Sequence, residues 1–201
     1  MLIHTLRALQ ASPSIRWIVP VVPAAERGRT RRLLQRYGIT KALPPCAGGS
    51  SRAASVVRGL AVLPREAKWV LVHDGARPCL SPRLVQASVR AAKRYGAVAC
   101  GLPANLTVKA ADARGEVRST LDRRQLWFVQ TPQVFRRGLF ARAAARANHG
   151  LARFPDDAAV VEQAGGRVRL IPGDPLNIKV TTPDDLVLAE AILQRRSKMN
   201  Q

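Results

Sequence analysis

The sequence predicts an α/β fold, organised as one domain around a mostly parallel sheet. Short apolar segments bounded by Gly and Pro alternate with segments of helical periodicity, which is the pattern of repeated β-α-β units. The 201 residues are enough for one domain with a full core, and no linker or repeat divides 1–201. The pattern centres on Trp69 to Pro78, WVLVHDGARP, because a short uninterrupted apolar run indicates an inner parallel strand.

The elements before Trp69 follow from periodicity and turn residues. Leu2 to Gln10 has helical spacing, although it begins without room for a cap. The other predicted segments are a strand over 15–22, a basic helix over 25–37, an extended piece over 39–47, and a helix that Gly48-Gly49-Ser50-Ser51 opens and that runs to about Leu63.

The elements after Trp69 include one with clear end signals. Ser81 suits an N-cap, Pro82 the first helical position and Gly96 the residue after the helix. A hairpin arm over 106–120 is predicted next, because Asp112-Ala113-Arg114-Gly115 is a turn sequence between two extended segments. The remaining predictions are strands over 97–102, 126–130 and 167–171, helices over 137–148 and 155–163, and a last helix capped by Thr182.

The composition limits the classes of function. The formal net charge of +20 favours an anionic partner such as a nucleotide, a sugar phosphate or nucleic acid. Dedicated nucleic-acid binding is the less favoured of these, because the basic residues are spread along the chain and no aromatic RNA-binding motif occurs. No apolar run approaches the ~18 residues that span a bilayer. Cys46, Cys79 and Cys100 lack metal-ligand spacing, so we expect free thiols in a cytoplasmic protein.

Asp74 and Arg77 follow the central strand directly. Ligands of open α/β sheets bind outside the carboxyl ends of the strands, where these two side chains are expected. A carboxylate there can hold a cation, and a guanidinium can clamp phosphate oxygens. Asp74 could equally cap the helix that begins near Ser81, and the stretch alone leaves both interpretations open. His73 is interpreted as a structural residue at the strand end.

Further candidates lie at other loop–helix junctions. Gly48 and Gly49 allow a ligand close to the backbone, with Arg52 and Ser55 on one helical face behind them, although a flexible loop before a capped helix has the same sequence. Lys179 precedes the last helix and could reach a phosphate or lie on the surface. Cations around one carboxylate, without a nucleophile–base set, suit transfer of a phosphoryl-type group.

Four segments together resemble one enzyme family. They are GGSSRAASV over 48–56, WVLVHDGARPCL over 69–80, TLDRRQLWFVQTPQVF over 120–135 and NIKVTTPDDLVLAE over 177–190. In order and spacing they are similar to 2-C-methyl-D-erythritol 4-phosphate cytidylyltransferases. The resemblance implies a Rossmann-like nucleotidyltransferase three-layer sandwich and a homodimer. It also implies a Mg²⁺-dependent reaction in non-mevalonate isoprenoid biosynthesis, in which CTP and methylerythritol phosphate give CDP-methylerythritol and pyrophosphate.

The resemblance also implies roles for individual residues. Those expected at the nucleotide are Gly48, Gly49, Arg52, Ser55, Asp74 and Gly75, with Asp74 facing the metal and the triphosphate. Those expected around the methylerythritol phosphate are Arg77, Thr107, Arg123, Thr131 and Lys179. Arg123 and Lys179 correspond to the catalytic pair that positions this phosphate for attack on the α-phosphorus of CTP. The arm over 106–120 resembles the family's dimerisation hairpin, which helps to complete the neighbouring site.

The chain departs from the family at its beginning. Family members start with a strand and a glycine-rich loop, VVPAAGxGxR, that cradles the triphosphate. VVPAAERGR over 21–29 imitates this loop but has Glu26 in place of a Gly, and by position it matches the family's second strand. We therefore expect an N-terminally truncated domain that lacks the central first strand, leaves neighbouring backbone unpaired and turns over little. Leu106, usually Asp in the family, and Pro155, often Thr, are smaller departures.

Three alternatives to this assignment stay open at this point. A ribitol-5-phosphate cytidylyltransferase would share the family and differ in the polyol. A non-catalytic dimeric remnant of the family would keep the fold without turnover. A basic nucleic-acid-binding protein would use the positive charge alone.

Overall fold

The structure is a computed structural model that describes residues 1–199. Helices and strands alternate along most of it, as predicted. The helices are α1 Leu2–Ala11, α2 Arg27–Arg36, α3 Arg52–Ala61, α4 Pro82–Tyr95, α5 Arg137–Ala147, α6 Asp157–Gln163 and α7 Pro183–Met199. The strands are β1 Val21–Val22, β2 Cys46–Ala47, β3 Trp69–Val72, β4 Ala97–Pro103, β5 Val108–Ala111, β6 Val117–Leu121, β7 Trp127–Arg136 and β8 Arg169–Pro172.

The main sheet has four strands in the order β3-β7-β4-β8. β8 is parallel to β4, but β7 runs antiparallel to both β3 and β4. The prediction of a mostly parallel sheet was therefore wrong for β7, which also extends six residues beyond the predicted end at Gln130. The register slips between Ala99↔Gln133 and Cys100↔Gln130, so Thr131 and Pro132 form a bulge that turns them out of the ladder.

A separate two-stranded parallel sheet contains β1 and β2. The strand predicted over 15–22 is reduced to Val21–Val22 plus one bridge between Ile18 and Ala42. The backbone bonds from Cys46 N to Pro20 O (2.9 Å) and from Gly48 N to Val22 O (2.8 Å) face β2. Because successive residues of a strand direct their peptide N–H and C=O groups to opposite edges, those of Val19 and Val21 point away from β2 and towards β3. Within residues 1–199 no strand pairs with this edge of β1.

β3 has a matching unpaired edge. Arg137 N donates to Lys68 O at 2.9 Å. Because hydrogen bonding alternates along an antiparallel pair, the peptide N–H and C=O groups of Val70 and Val72 point to β7, and those of Trp69 and Leu71 point away from it. A cavity of about 580 Å³ separates the two edges. Its walls are mostly apolar, and we call this cavity the slot.

Helices pack on both faces of the sheets and give the predicted layered sandwich. One core cluster joins α1, α2 and α4 through Leu6, Leu34 and Val85. The other joins α3, α5 and α6 through Leu60, Phe140 and Val160, with Phe135 of β7 stacked on Phe140 at 4.9 Å between ring centres. No helix within residues 1–199 is long and apolar enough to cross a membrane.

The predicted end signals of α4 and the predicted hairpin arm are confirmed. Ser81 caps α4 by accepting from Leu84 N at 3.2 Å, Pro82 is its first residue, and Gly96 follows with φ of 85°. The arm is the two-stranded sheet of β5 and β6. Its turn ends in Gly115, whose φ of 85° lies in the region that favours glycine.

Candidate functional site

Three cationic side chains surround the carboxylate of Asp74. Arg52 Nε donates to Asp74 Oδ1 at 3.1 Å, while Lys179 Nζ and Arg77 Nε lie 3.6 and 3.8 Å from Oδ2. The Asp74 side chain is 17% exposed, so the carboxylate opens to solvent at the ends of β3 and β2. The alternative of Asp74 as a helix cap is wrong, because Ser81 caps α4.

The bulge in β7 fixes the turn that carries Asp74. Asp74 N donates to Thr131 Oγ1 at 3.1 Å, and the same hydroxyl lies 3.0 Å from Nδ1 of His73. Burial lowers the pKa of His73 to about 4. The ring is therefore neutral near pH 7 and serves to connect β3 with β7, as the structural interpretation of His73 requires.

Asn177 links the segment that bears Lys179 to the same turn. The fully buried Asn177 donates from Nδ2 to Thr131 O at 2.7 Å and accepts from Arg77 Nη1 through its backbone carbonyl at 2.8 Å. Val180 N donates to Ala76 O at 2.8 Å. In the sequence Asn177 stands two residues before Lys179, and only the fold shows that it positions three candidate residues, Arg77, Thr131 and Lys179.

The glycine pair lies against the start of α3. Ser55 Oγ accepts from Gly49 N at 3.0 Å and donates to Ser51 O at 2.8 Å. A Cβ on Gly49 would lie 2.6 Å from that of Ala54, and one on Gly48 would lie 2.9 Å from Ser55 Oγ. Close packing on α3 therefore already requires glycine at both positions.

A second carboxylate behind Arg52 was missed by the sequence analysis. Asp157 Oδ2 lies 2.8 Å from Arg52 Nη2, and the side chain is only 1% exposed. Asp156 fixes the position of Asp157 by capping α6 at Ala159 N and by accepting from Gln133 Nε2 at 2.8 Å. Two adjacent acidic residues at the start of a helix could have indicated a functional role for Asp157. No local sequence pattern, however, connects Asp157 to Arg52, which lies 105 positions earlier.

The two carboxylates have opposite pKa shifts. Burial acts to raise the pKa of Asp74, but the charges of Arg52 and Lys179 outweigh it and the net shift is downward. Burial raises the pKa of Asp157, and the single arginine compensates only in part. Asp74 is therefore a well-neutralised carboxylate at an opening, whereas Asp157 is a buried one that depends on one cation.

The structure does not bring every predicted site residue to Asp74. Thr107 is exposed and lies directly before β5. Arg123 lies in a short 3₁₀ turn after the arm, where its Nη1 donates to Asn105 O at 2.8 Å. No ion pair or hydrogen bond within residues 1–199 joins either residue to the Asp74 cluster. Gly75 lies in the turn after Asp74, where its carbonyl accepts from Thr5 Oγ1 at 3.2 Å.

Asp74 is the predicted metal ligand. Within residues 1–199 no three His, Cys, Asp or Glu side chains are grouped to hold a metal ion. Mg²⁺ in nucleotide-dependent enzymes is commonly held by one or two carboxylates together with substrate phosphates. A single partly exposed carboxylate among cationic side chains fits that mode, in which the nucleotide supplies most of the ligands.

Comparisons with known proteins agree with one another. A family model described as 2-C-methyl-D-erythritol 4-phosphate cytidylyltransferase matches residues 1–195. A protein of that name from Pelotomaculum thermopropionicum is 42% identical over 194 residues, covering 96% of this chain and 82% of the relative. One from Syntrophotalea carbinolica is 43% identical over 195 residues, covering 96% and 83%.

Solved structures of proteins with the same activity in their names also resemble the chain over most of its length. The 4-diphosphocytidyl-2C-methyl-D-erythritol synthase of Anaerococcus prevotii superposes with a TM-score of 0.87 at 28% identity, covering 96% of this chain and 85% of that one. The 2-C-methyl-D-erythritol 4-phosphate cytidylyltransferase of Thermus thermophilus gives a TM-score of 0.78 at 32% identity, covering 95% and 87%.

Proposed function

The chain belongs to the 2-C-methyl-D-erythritol 4-phosphate cytidylyltransferase family, and we propose that it performs the family's reaction at the opening around Asp74. The reaction transfers CMP from CTP to methylerythritol phosphate in isoprenoid biosynthesis. The observation that carries the assignment of the site is the convergence of Arg52, Arg77 and Lys179 on the carboxylate of Asp74.

The chemistry needs positioning and charge more than a base. An oxygen of the methylerythritol phosphate attacks the α-phosphorus of CTP, a new P–O bond forms, and the bond to the β-phosphate oxygen breaks to release pyrophosphate. Because both reactants are anions, their repulsion must be offset before they meet. Lys179 and Arg77 supply that charge on the polyol-phosphate side, with Thr131 beside them. Arg52 and Ser55 face the nucleotide together with the glycines at 48, 49 and 75.

The same proposal assigns the cation site to Asp74. A Mg²⁺ bound with the nucleotide would neutralise triphosphate charge. Asp74 would hold it through a carboxylate whose pKa is already low, so the carboxylate is ionised at neutral pH. Arg52 and Lys179 remain beside it to contact phosphate oxygens.

Residues of the arm complete the proposal through a second copy of the chain. Apolar side chains lie exposed on and beside the arm, among them Leu106, Val117, Leu121, Phe128 and Val129. A patch of this kind indicates a protein interface. In a homodimer formed through the arm, Arg123 and Thr107 would reach the partner's Asp74 opening, which is the arrangement that the resemblance implies for the family.

The test is turnover by the purified chain. Pyrophosphate release is measured with CTP, Mg²⁺ and methylerythritol phosphate, and in parallel with ribitol 5-phosphate, which separates the two polyol assignments. Lys179→Ala should lower the rate by about a hundredfold, whereas Lys198→Ala on the exposed end of α7 should leave it unchanged. An equal effect of the two substitutions would contradict the proposed site.

Low turnover by the unmodified chain remains the expectation from sequence analysis, and the unfilled slot beside Asp74 supports it. Calorimetry with CTP and Mg²⁺ then distinguishes a weak enzyme from a non-catalytic remnant, because the remnant would release no heat while staying folded. Strong retention on heparin that falls steeply as salt is added would instead favour the nucleic-acid hypothesis, and a lack of retention would count against it.

The proposed dimer and compartment have their own checks. Val117→Asp should convert a dimer to a monomer in sedimentation and remove turnover, while CTP binding stays within about twofold because the nucleotide residues lie outside the arm. We also propose a cytoplasmic location, since Cys46, Cys79 and Cys100 are free thiols and reducing compartments keep thiols in that form.

A further inference from the structure

We propose that Asp157 is a positioning residue that holds Arg52 in place while Asp74 exchanges its arginine partner for the metal-bound nucleotide. This inference rests on the proposed function, because it assigns Asp74 to the metal and Arg52 to the nucleotide. It adds a residue of α6 for which neither the motifs nor the resemblance gave a role.

The guanidinium of Arg52 bridges two carboxylates. Its Nε and Nη2 both lie 3.1 Å from Oδ1 of Asp74, and Nη2 also lies 2.8 Å from Oδ2 of Asp157. No hydrogen bond or ion pair within residues 1–199 uses its Nη1, and the side chain is 37% exposed. Within the described residues Arg52 therefore keeps Nη1 available for a ligand, while Nη2 bridges the two carboxylates and Nε contacts Asp74 alone.

The two carboxylates depend on Arg52 to very different degrees. Asp74 has Lys179 and Arg77 as further cations, so it stays neutralised when Arg52 leaves. Asp157 has only Arg52 within ion-pair distance, and neither of its oxygens makes a hydrogen bond of good geometry in the described chain. A buried carboxylate without a cation is strongly unfavourable, so Arg52 stays with Asp157 when its contact with Asp74 is broken.

Because of this difference, Asp74 can exchange Arg52 for a metal-bound triphosphate while the Arg52 side chain keeps its position. When a metal-bound triphosphate engages Asp74, the contact of Arg52 with Oδ1 is replaced, but the ion pair with Asp157 keeps the guanidinium beside the nucleotide. Without Asp157, Arg52 would have Asp74 as its only carboxylate. It would then compete with the metal for that group and be free to swing into solvent after release.

The experiment compares Asp157→Asn with Glu162→Gln in the whole chain. Both substitutions remove one negative charge from α6, but the side chain of Glu162 is exposed. Calorimetry with CTP and Mg²⁺ should show about a tenfold weaker affinity for Asp157→Asn and no change for Glu162→Gln. The midpoint of urea unfolding for Asp157→Asn should change little, because Arg52 is 37% exposed and keeps Asp74 as its partner.

A second measurement follows Arg52 without any ligand. The Nη2–H group of Arg52, which contacts Asp157 and is assigned in ¹⁵N NMR by its disappearance in Arg52→Lys, should exchange with water faster in Asp157→Asn than in the unmodified chain. Unchanged affinity with unchanged exchange would overturn the proposal, as would a lower unfolding midpoint with unchanged affinity, which indicates packing alone. If the unmodified chain binds no CTP, the proposed function fails and the exchange rate alone decides the role of Asp157.

Discussion

The two sheets differ in how completely their strands are paired. In the four-stranded sheet, β4 has a partner on each side, and Val98, Cys100, Val134 and Phe135 are fully buried. In the two-stranded sheet, β1 pairs only with β2, and its other edge faces the slot and the unpaired edge of β3. Both regions have apolar strand sequences, yet the first forms strands of up to ten residues and the second strands of two.

The difference shows that apolar character does not set strand length by itself. The segment over 15–22 is as apolar as β4, but Pro20 has no N–H to donate and the edge towards β3 has no partner within residues 1–199. A strand paired on both sides gains ladder hydrogen bonds and packing on both flanks, whereas a strand paired on one side gains half of them. The site lies where the two regions meet, since Asp74 follows β3 and Gly48 follows β2.

Amide hydrogen exchange should give the largest contrast, and it can be measured within one strand. The N–H groups of Val70 and Val72 face β7 and should exchange at least about a thousandfold more slowly than those of Trp69 and Leu71, which face the slot. Exchange is followed by NMR at constant pH. Equal protection of the two pairs of N–H groups would show that the slot is closed in solution, and it would contradict the difference between the paired and unpaired edges of β3.

A matched pair of substitutions sharpens the comparison energetically. Val134→Ala in β7 should lower the free energy of unfolding by about 2–3 kcal/mol, from lost burial plus a cavity. Val21→Ala in β1 should cost about 1 kcal/mol or less, because that side chain is half-buried and already borders the slot. Urea unfolding of both variants measures the difference, and equal losses would mean that β1 is packed as tightly as β7.

The start of α7 should give the smallest effect and serve as a reference outside both sheets. Asp185 accepts from the N–H groups of Thr181 and Thr182 at 2.9 Å each, and these bonds lower its pKa to about 2. A lowered pKa adds stability that is complete above the ordinary value of 3.8 and is lost as the pH falls through about 2.

Asp185→Asn should therefore lower the urea midpoint slightly at pH 5, and the difference from the unmodified chain should shrink towards pH 2. Amide exchange in β3 should not change. A difference that grows as the pH falls would show that the carboxylate is not stabilised in this way.

Local signals predicted the elements better than their pairing. Ser81, Pro82 and Gly96 defined α4 to the residue, and the turn before Gly115 defined the arm, because caps and turns are properties of a few adjacent residues. The antiparallel direction of β7 was not predictable in this way, since strand direction depends on where a segment packs after the hairpin arm. The apolar residues of a segment can indicate a strand, but they do not show whether it pairs parallel or antiparallel to its neighbours.

The candidate site follows the same division. Asp74, Arg77, Arg52 and Lys179 were identified from motifs and lie together, because each follows or opens an element at the same edge of the sheets. Asp157 and Asn177 were missed as site residues. Their roles come from burial and from contacts across 105 and 46 positions, with Arg52 and Thr131, and no local pattern contains that information.

The unpaired edge of β1 has a consequence for handling the protein. An open row of peptide N–H and C=O groups is a template on which another chain can add a strand, and the edge of β3 offers a second one a short distance away. Two molecules that meet in a concentrated sample can therefore join edge to edge. Precipitation on concentration should accordingly be suppressed by dilution and by mild urea, and added salt should promote it by screening the repulsion between molecules of formal net charge +20.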